Sequence, residues 1–575
     1  MRNNKILITA ITLATTLCVS SCSKNELKQT TASANTNAQV SPVSHNSIAS
    51  LTGDVVGKVT VGYQGWFLAA GDGSSFNSWQ HTNLECWPDV REYPTLYGNV
   101  QFNQGGTLQP PFTGNLGNGQ PAQMFSDWDQ STVNTHFLWM QQNGIDCAAV
   151  QRFGAHFSDP RVVSQVNGIA DRVQNAAQTY GRKFYIMYDI SGWTNFQTEI
   201  KTDWTNTASA HTASSAYAMQ NGKPVVCIWG IGVSGRPGNV TSWTDVINWF
   251  KSQGCYVIAG VKTGFSTDTT NATAYEAANM LMDWRVGYNS SNNFQTLDAT
   301  ALSFCNAHGI DYQVDVYAGT SFYNGNGTTK NIIPRNHGDF MWTQFAGAKN
   351  AGVSSVYVSM FDEINEATGI MKCAEDASMI PAGNWFLTLD ADGTHVSSDF
   401  YLRLTTDGGN MIKGTLPYTA TEPTPFMYLD RCESTSGWSS GNTLTVNTGD
   451  KQEGTASLQS VGSGTAEFQQ HFATPFNSGA TAATGSIDFW YYVSDVTKFS
   501  SSNQIEVGSG GTNDVSEYNW NIGTLVNGWN HIHKTFATAG TTGGTPNLSA
   551  INWFRIYHAK TASITTKVDA IIIKH

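Results

Sequence analysis

Between residues 55 and 361 short runs of β-branched and aromatic residues alternate with longer stretches of helical period. Eight runs read as strands: Val59–Phe67, Asp146–Phe153, Lys183–Ile190, Pro224–Gly230, Cys255–Val261, Asp283–Tyr288, Tyr312–Ala318 and Ser355–Phe361. The intervening segments place apolar residues three and four apart, most clearly at Trp243, Val246, Ile247 and Phe250, and the same period runs through 131–143, 158–180, 298–309 and 338–351. Strand alternating with helix implies a parallel sheet, and eight such units predict a closed (β/α)8 TIM barrel. The rival is an open doubly wound sheet, but no GxGxxG follows the first strand.

The pattern changes after the Pro/Thr stretch Thr421–Pro425. From there short alternating runs, among them Ser486–Val493, Trp529–Phe536, Ile551–Tyr557 and Lys567–Ile573, lie between Gly/Ser/Thr/Asn clusters and predict an all-β sandwich. The division expected is a barrel over 53–420 and a sandwich over 426–575. Residues 23–52 are poor in large apolar side chains and read as a disordered tether.

The first 22 residues are of another kind. Arg2 and Lys5 precede an apolar stretch, Ile6–Leu17, as in an export signal. The closing Val19-Ser20-Ser21-Cys22 resembles the lipobox of bacterial lipoproteins, which implies lipidation of Cys22. No later run is long enough to span a bilayer, so the membrane partner expected is reached through that lipid alone. Beyond Cys18 the remaining cysteines, at 86, 147, 227, 255, 305, 373 and 432, are odd in number and show no CxxC spacing. They read as buried thiols with room for one unassigned disulfide, and a zinc site is not expected.

Composition narrows the chemistry. Aromatics are abundant (18 Trp, 21 Tyr, 28 Phe), charged residues make up only 13%, and the formal charge is −12 with the acids dispersed. That balance excludes a phosphate-neutralising nucleic-acid surface and suits flat, neutral ligands such as sugars.

In a barrel of this kind the site forms at the C-terminal strand ends. Those ends carry Tyr63, Gln64 and Trp66; Gln151 and Arg152; Tyr188, Asp189 and Trp193; Trp229; Lys262; Tyr317; and, after the last strand, Glu363 and Glu366. Aromatic platforms, amides and two acids suit carbohydrate. The chain carries no P-loop, HExxH or G-x-S-x-G, so neither metal nor cofactor is expected. The long segment 68–125, with Trp79, His81, Trp87 and Asp89, is expected to cover one side of the cleft.

Glycosidic bonds are broken by paired carboxyl groups, one protonating the leaving oxygen while the other supplies or activates the nucleophile. Glu363 and Glu366, three residues apart, fit that need. They also read as solvated loop acids, or as one cap before Ala367, and position at the last strand's mouth favours catalysis. Asp362 points to the opposite face if the strand continues, and ranks below them. Asp189 reads either as a sugar ligand or as a partner of Arg152, while His81, His156 and His337 read as ordinary loop or helix residues.

Together Val61-Gly62-Tyr63-Gln64-Gly65-Trp66-Phe67, Gly71-Asp72-Gly73, Trp87-Pro88-Asp89-Val90-Arg91-Glu92-Tyr93, His136-Phe137-Leu138-Trp139-Met140, Gln151-Arg152-Phe153 and Met360-Phe361-Asp362-Glu363-Ile364-Asn365-Glu366 resemble bacterial glycoside hydrolase family 71/99-like proteins. The resemblance covers about residues 55–415. It implies a (β/α)8 enzyme acting on α-mannosides, with Glu363 deprotonating the substrate's 2-hydroxyl and Glu366 serving as acid/base. The 2-oxygen then closes a 1,2-anhydro sugar that water opens with overall retention. The pair stands here in Phe-Asp-Glu-Ile-Asn-Glu-Ala, not in the Glu-Trp-His-Glu-Gly-like setting of the mannan enzymes, which leaves plant-type xylan or arabinan glycans open.

The expectation is an exported, lipid-anchored glycoside hydrolase at the outer membrane or cell surface, with a polysaccharide or glycan substrate and neighbouring glycan-uptake proteins as partners. A carbohydrate-binding-like role is expected of the sandwich. The alternative is a non-catalytic surface glycan-binding lipoprotein, which would have no need of the glutamate pair.

Overall fold

The computed structural model describes residues 50–574 apart from 453–455, 479 and 484. The export segment, Cys22 and all but the last three residues of the 23–52 tether lie outside the described residues.

Eight parallel strands close into a barrel: β1 (Val59–Tyr63), β2 (Cys147–Phe153), β3 (Lys183–Asp189), β4 (Lys223–Ile231), β5 (Tyr256–Lys262), β6 (Met280–Trp284), β7 (Asp311–Val316) and β8 (Val356–Val358). Closure comes where β1 pairs β8, with Val59 opposite Val356 and Val61 opposite Val358. Around the ring β3 also pairs β4, with Ile186 opposite Val226. A two-residue antiparallel strand, Met219–Gln220, extends the sheet beside β4.

A helix follows each strand: α1 (Gln130–Gln142), α2 (Pro160–Tyr180), α3 (Phe196–Asn206), α4 (Val240–Ser252), α5 (Ala272–Ala277), α6 (Phe294–His308), α7 (Asp339–Ala351) and α8 (Phe400–Lys413). Their limits are written locally. In α2 the Asp159 side chain accepts from Arg161 N at the start, Pro160 occupies the first turn, and Gly181 ends the helix at φ 61°. In α4 Asn239 and Ser242 form a capping box, and Trp243, Val246, Ile247 and Phe250 are the buried stripe. Each such buried side chain contributes about 1.5–3 kcal/mol.

Three strands end or begin three or more residues from the expected positions. The first stops at Tyr63 and not Phe67, because the amides of Gln64 and Gly65 turn aside to bind Asp362 and Gly65 takes φ 59°. The last is confined to Val356–Val358. The sixth runs from Met280, three residues before its expected start, since Met and Leu carry little strand signal and pairing with β5 and β7 decides their conformation.

The 68–125 segment is partly core. Trp87 is fully buried, edge-on to Phe102 and Phe386, and Asp89 pairs with Arg91 at 2.6 Å, so neither is a cleft residue.

Two six-stranded antiparallel sheets make up the C-terminal region. One runs Thr443–Asn447, Ser457–Gly462, Ile564–Lys574, Ser486–Val493, Gly528–Thr535, with Tyr428–Asp430 beside Ile564–Lys574. The other runs Trp438–Ser439, Ala466–Phe476, Ile551–Lys560, Phe499–Gly508, Glu517–Trp520, Gly540–Thr542. Period-2 alternation buries Ile487, Phe489, Tyr491 and Val493 and turns Trp490 and Tyr492 to the outer face. Tyr491, Trp520 and Trp553 are therefore core residues.

Inside the barrel β1 presents Gly62, where a Cβ would stand 2.3 Å from the Tyr357 hydroxyl and 2.2 Å from Met360 Sδ. Gly62→Val is expected to destabilise the barrel by about 1–3 kcal/mol through overpacking. A lowered urea midpoint at unchanged m-value is the measurement.

Candidate active site

The turn after β8 is held from every side by its backbone. Phe361 N donates to the Gly62 carbonyl at 2.8 Å, and the buried Asp362 carboxylate accepts from Gln64 N and Gly65 N, each at 2.8 Å. The Glu363 carbonyl accepts from Glu366 N (3.4 Å) and Gly369 N (3.2 Å), which folds 363–369 into a compact turn. Two amides, Glu85 N and Cys86 N, converge on the Ile364 carbonyl at 3.0 Å. Ser321 N and Thr320 Oγ1 both reach the Glu366 carbonyl at 2.9 Å, and Arg335 Nη2 binds the carbonyls of Ala367 and Gly369. With the main chain thus satisfied, the Glu363 and Glu366 side chains are placed by rigid surroundings.

The two carboxyl groups are treated differently. Glu363, 5% exposed, accepts from Gln64 Nε2 on Oε1 (2.9 Å) and from Thr368 Oγ1 on Oε2 (2.7 Å). Burial pushes its pKa up to about 7; the charges of Asp362 and Asp189 push the same way, and the two donors restrain the rise. Glu366, 7% exposed, has no hydrogen bond to its carboxyl oxygens from the described residues. Burial, then the neighbouring Glu363 and Glu85, hold it well above the usual carboxylate range, against a weaker pull from Arg236. Glu366 is thus the more firmly protonated of the two, and Glu363 is the readier to ionise. Two acids with separated proton affinities are the arrangement that acid/base chemistry requires.

Gln64, Gln151, Asp189 and Trp229 share this end of the barrel. Gln151 Nε2 reaches the Tyr357 hydroxyl (3.4 Å) and the Met187 and Met360 sulfurs, beneath the glutamates. Asp189 accepts from Ser191 N at 2.7 Å, and burial pushes it up to about 6. Trp229 meets Trp284 edge-on at 5.0 Å and lies 5.0 Å below the Arg236 guanidinium. Trp66 is sandwiched between His81 (4.0 Å) and Phe153 (5.3 Å), and burial lowers the His81 pKa to about 3, keeping that ring neutral.

Five expected ligands face away from the cleft. Tyr63 shares a hydrogen bond with His136 of α1 (2.9 Å). Arg152 grips Asp203 of α3 through Nε and Nη2 at 2.7 and 2.6 Å, and the Tyr188 hydroxyl joins the same carboxylate at 2.7 Å. The partner of Arg152 is therefore Asp203 and not Asp189. Trp193 packs on Phe157 and donates to Glu199, while Tyr317 packs on Phe340 and donates to the Tyr288 carbonyl. The cause is strand alternation: Gln151 and Asp189 point inward, so Arg152 and Tyr188 beside them point to the helices. Lys262 is likewise engaged, with Asp268 at 2.8 Å, and His337 with Asp392 at 3.1 Å.

Sequence reasoning missed Glu85, Arg236, Trp284 and Thr368. An acid inside the apolar Leu84-Glu85-Cys86-Trp87 was a legible signal of a buried, partnered carboxylate; Ser321 Oγ and Gly325 N bind it at 2.7 and 2.9 Å. Arg236 and Trp284 come from other strand ends and carried none. Among the described residues no group of three or more His, Cys, Asp or Glu is arranged to hold a metal ion.

No protein-family model matches the chain, and no curated protein matches it. Solved structures similar to it include the GH99 endo-alpha-mannosidase from Bacteroides thetaiotaomicron in complex with Bis-Tris propane, at TM-score 0.47 and 12% identity over 63% of this chain and 98% of that one. A glycoside hydrolase-like protein aligns at TM-score 0.39 and 13% identity over 64% and 96%. The family 11 carbohydrate-binding module from Clostridium thermocellum aligns at TM-score 0.20 and 17% identity over 26% of this chain and 94% of the module.

The raised pKa of Glu366 has a thermodynamic sign. The native protein keeps a proton that the unfolded chain releases above its ordinary value of 4.5, so stability is lost as pH rises from there toward the native value. Glu366→Gln, which cannot ionise, is expected to match the wild type at pH 4 and to melt a few degrees higher at pH 8. Thermal unfolding of both proteins at the two pH values decides it.

Proposed function

We propose that the barrel is a glycoside hydrolase in which Glu363 is the base and Glu366 the acid. The observation that carries this reading is the unequal treatment of two buried carboxyl groups on one turn: Glu363 has two donors to stabilise its anion, while Glu366 accepts from none of the described residues and is held well above its ordinary range.

In the reaction proposed, Glu363 takes the proton of the sugar's 2-hydroxyl while Glu366 gives its proton to the departing glycosidic oxygen. The 2-oxygen bonds to the anomeric carbon as the bond to the leaving group breaks, forming a 1,2-anhydro sugar. Water, deprotonated by Glu366, then attacks the anomeric carbon, and the 2-oxygen recovers its proton from Glu363. Both residues return to their starting states, and configuration is retained. Half-buried Trp284 supplies a flat surface for a sugar ring, with Gln64 and Asp189 as hydrogen-bonding groups. The resemblance to family 71/99-like sequences supports an α-mannoside-type substrate.

For the whole chain we propose anchorage to the cell envelope through a lipid on Cys22, supported by the signal-like N-terminus. The sandwich is proposed to hold glycan, supported by the outward Trp490 and Tyr492, the latter edge-on to Trp529 at 5.5 Å.

A glycan-panel digestion with product analysis by mass spectrometry identifies the substrate. On that substrate Glu366→Gln is expected to lose about 10³-fold or more in kcat while binding persists; unaltered hydrolysis would sink the assignment. Activity should rise with pH through about 7 as Glu363 ionises, and fall again where Glu366 gives up its proton. A 2-deoxy substrate should be inert. Removing residues 426–575 should weaken polysaccharide binding and leave hydrolysis of a short soluble substrate intact.

A further inference from the structure

We infer that Cys86 and Cys373 are the site of a disulfide that straps the segment covering the barrel to the segment leaving the glutamate turn. The two cysteines are neighbours close enough to shift each other's acidity, both are free thiols, and both side chains are fully buried. Their chains run antiparallel past one another: Pro88 bridges Cys373, Ala374 N donates to the Trp87 carbonyl at 2.9 Å, and Asp89 N to the Lys372 carbonyl at 3.0 Å. That register sets Pro88 opposite Cys373 and so brings Cys86, two residues before it, onto the neighbouring segment as a diagonal partner before any covalent bond exists.

The bond forms by exchange with an external disulfide, either a small one such as oxidised glutathione or that of a protein thiol oxidase. The thiolate of one cysteine bonds to one sulfur of the oxidant and expels the first thiol. The other cysteine then displaces the second as it loses its proton. Two cysteine thiols are oxidised to one disulfide, and one external disulfide is reduced to two thiols. Because both sulfurs are buried, the exchange belongs to folding, before the cover packs down.

The position gives the strap a purpose. The amides of Glu85 and Cys86 bind the carbonyl of Ile364, between Glu363 and Glu366, and Cys373 lies seven residues beyond Glu366. A bond between 86 and 373 therefore secures both sides of the turn that carries the acids, and closing so long a loop constrains the unfolded chain strongly. The inference rests on the proposed export for the oxidising compartment and on nothing in the proposed catalysis.

The experiment takes the full chain exported to the periplasm of an expression host, and the same chain refolded with oxidised glutathione. Each is denatured without reductant, alkylated with iodoacetamide, digested and mapped by mass spectrometry. Expected is one linked peptide pair holding Cys86 and Cys373, about 2 Da lighter than the two free peptides together, with alkyl groups on Cys147, Cys227, Cys255, Cys305 and Cys432. Alkylation of both Cys86 and Cys373 in the refolded chain, or a link from either to another cysteine, overturns the assignment. Free thiols in the exported chain beside a bond in the refolded one would overturn the export premise and leave the pairing supported. In urea unfolding, dithiothreitol should lower the wild-type midpoint by about 0.5 M or more and leave that of a Cys86→Ala, Cys373→Ala double variant unmoved. An equal wild-type midpoint with and without dithiothreitol would refute the strap.

Discussion

A single buried carboxylate, Asp362, joins the last strand of the barrel to the first. Its two oxygens take the amides of Gln64 and Gly65 just where β1 ends, and Phe361 N adds a bond to the Gly62 carbonyl. Without that seam three buried backbone groups would lack partners, at a cost of about 1–3 kcal/mol each. The seam also brings the Gln64 side chain to Glu363 Oε1. Closing the barrel and orienting Glu363 are thus one event: Gln64, whose amide helps to complete the ring, presents the hydrogen-bond donor that favours the ionised glutamate.

The remainder of the site follows from how few charges the interior admits. Only 13% of residues are charged, yet several are fully buried, and each finds a partner that also ties layers together. Arg152 joins Asp203 across β2 and α3, while Arg285 bonds Asp283 at 2.6 Å and Asp298 of α6 at 2.8 Å. These pairs lie between the strands and helices and hold the ring rigid from outside. Glu366 is the contrasting case, a buried acid among acids with no donor among the described residues, and desolvation raises its proton affinity.

The sandwich obeys a simpler rule. Alternation along Phe489–Val493 buries Phe489, Tyr491 and Val493, and the half-buried aromatics on the other face, Trp490 and Tyr492, are there because of their parity and not because of their type. Parity likewise divides the barrel's strand ends into residues that face the cleft and residues that brace the helices.

What the sequence by itself determined was therefore the periodicity: eight strands, the helices after them, the change to short alternating strands near residue 425, and two glutamates beyond the last strand. These are local properties, set by the spacing of apolar residues and the caps beside them. Tertiary structure alone decided which side of each strand end faces the cleft, and so sent Tyr63, Arg152, Tyr188, Trp193 and Tyr317 to the helices and loops. It brought Glu85, Arg236 and Thr368 to the glutamates, and it moved the sixth strand to Met280 through pairing with its neighbours. The physical reason is common to all of these: a side chain's direction and a carboxyl group's proton affinity depend on residues far away in the chain that only the closed barrel brings within a few ångströms.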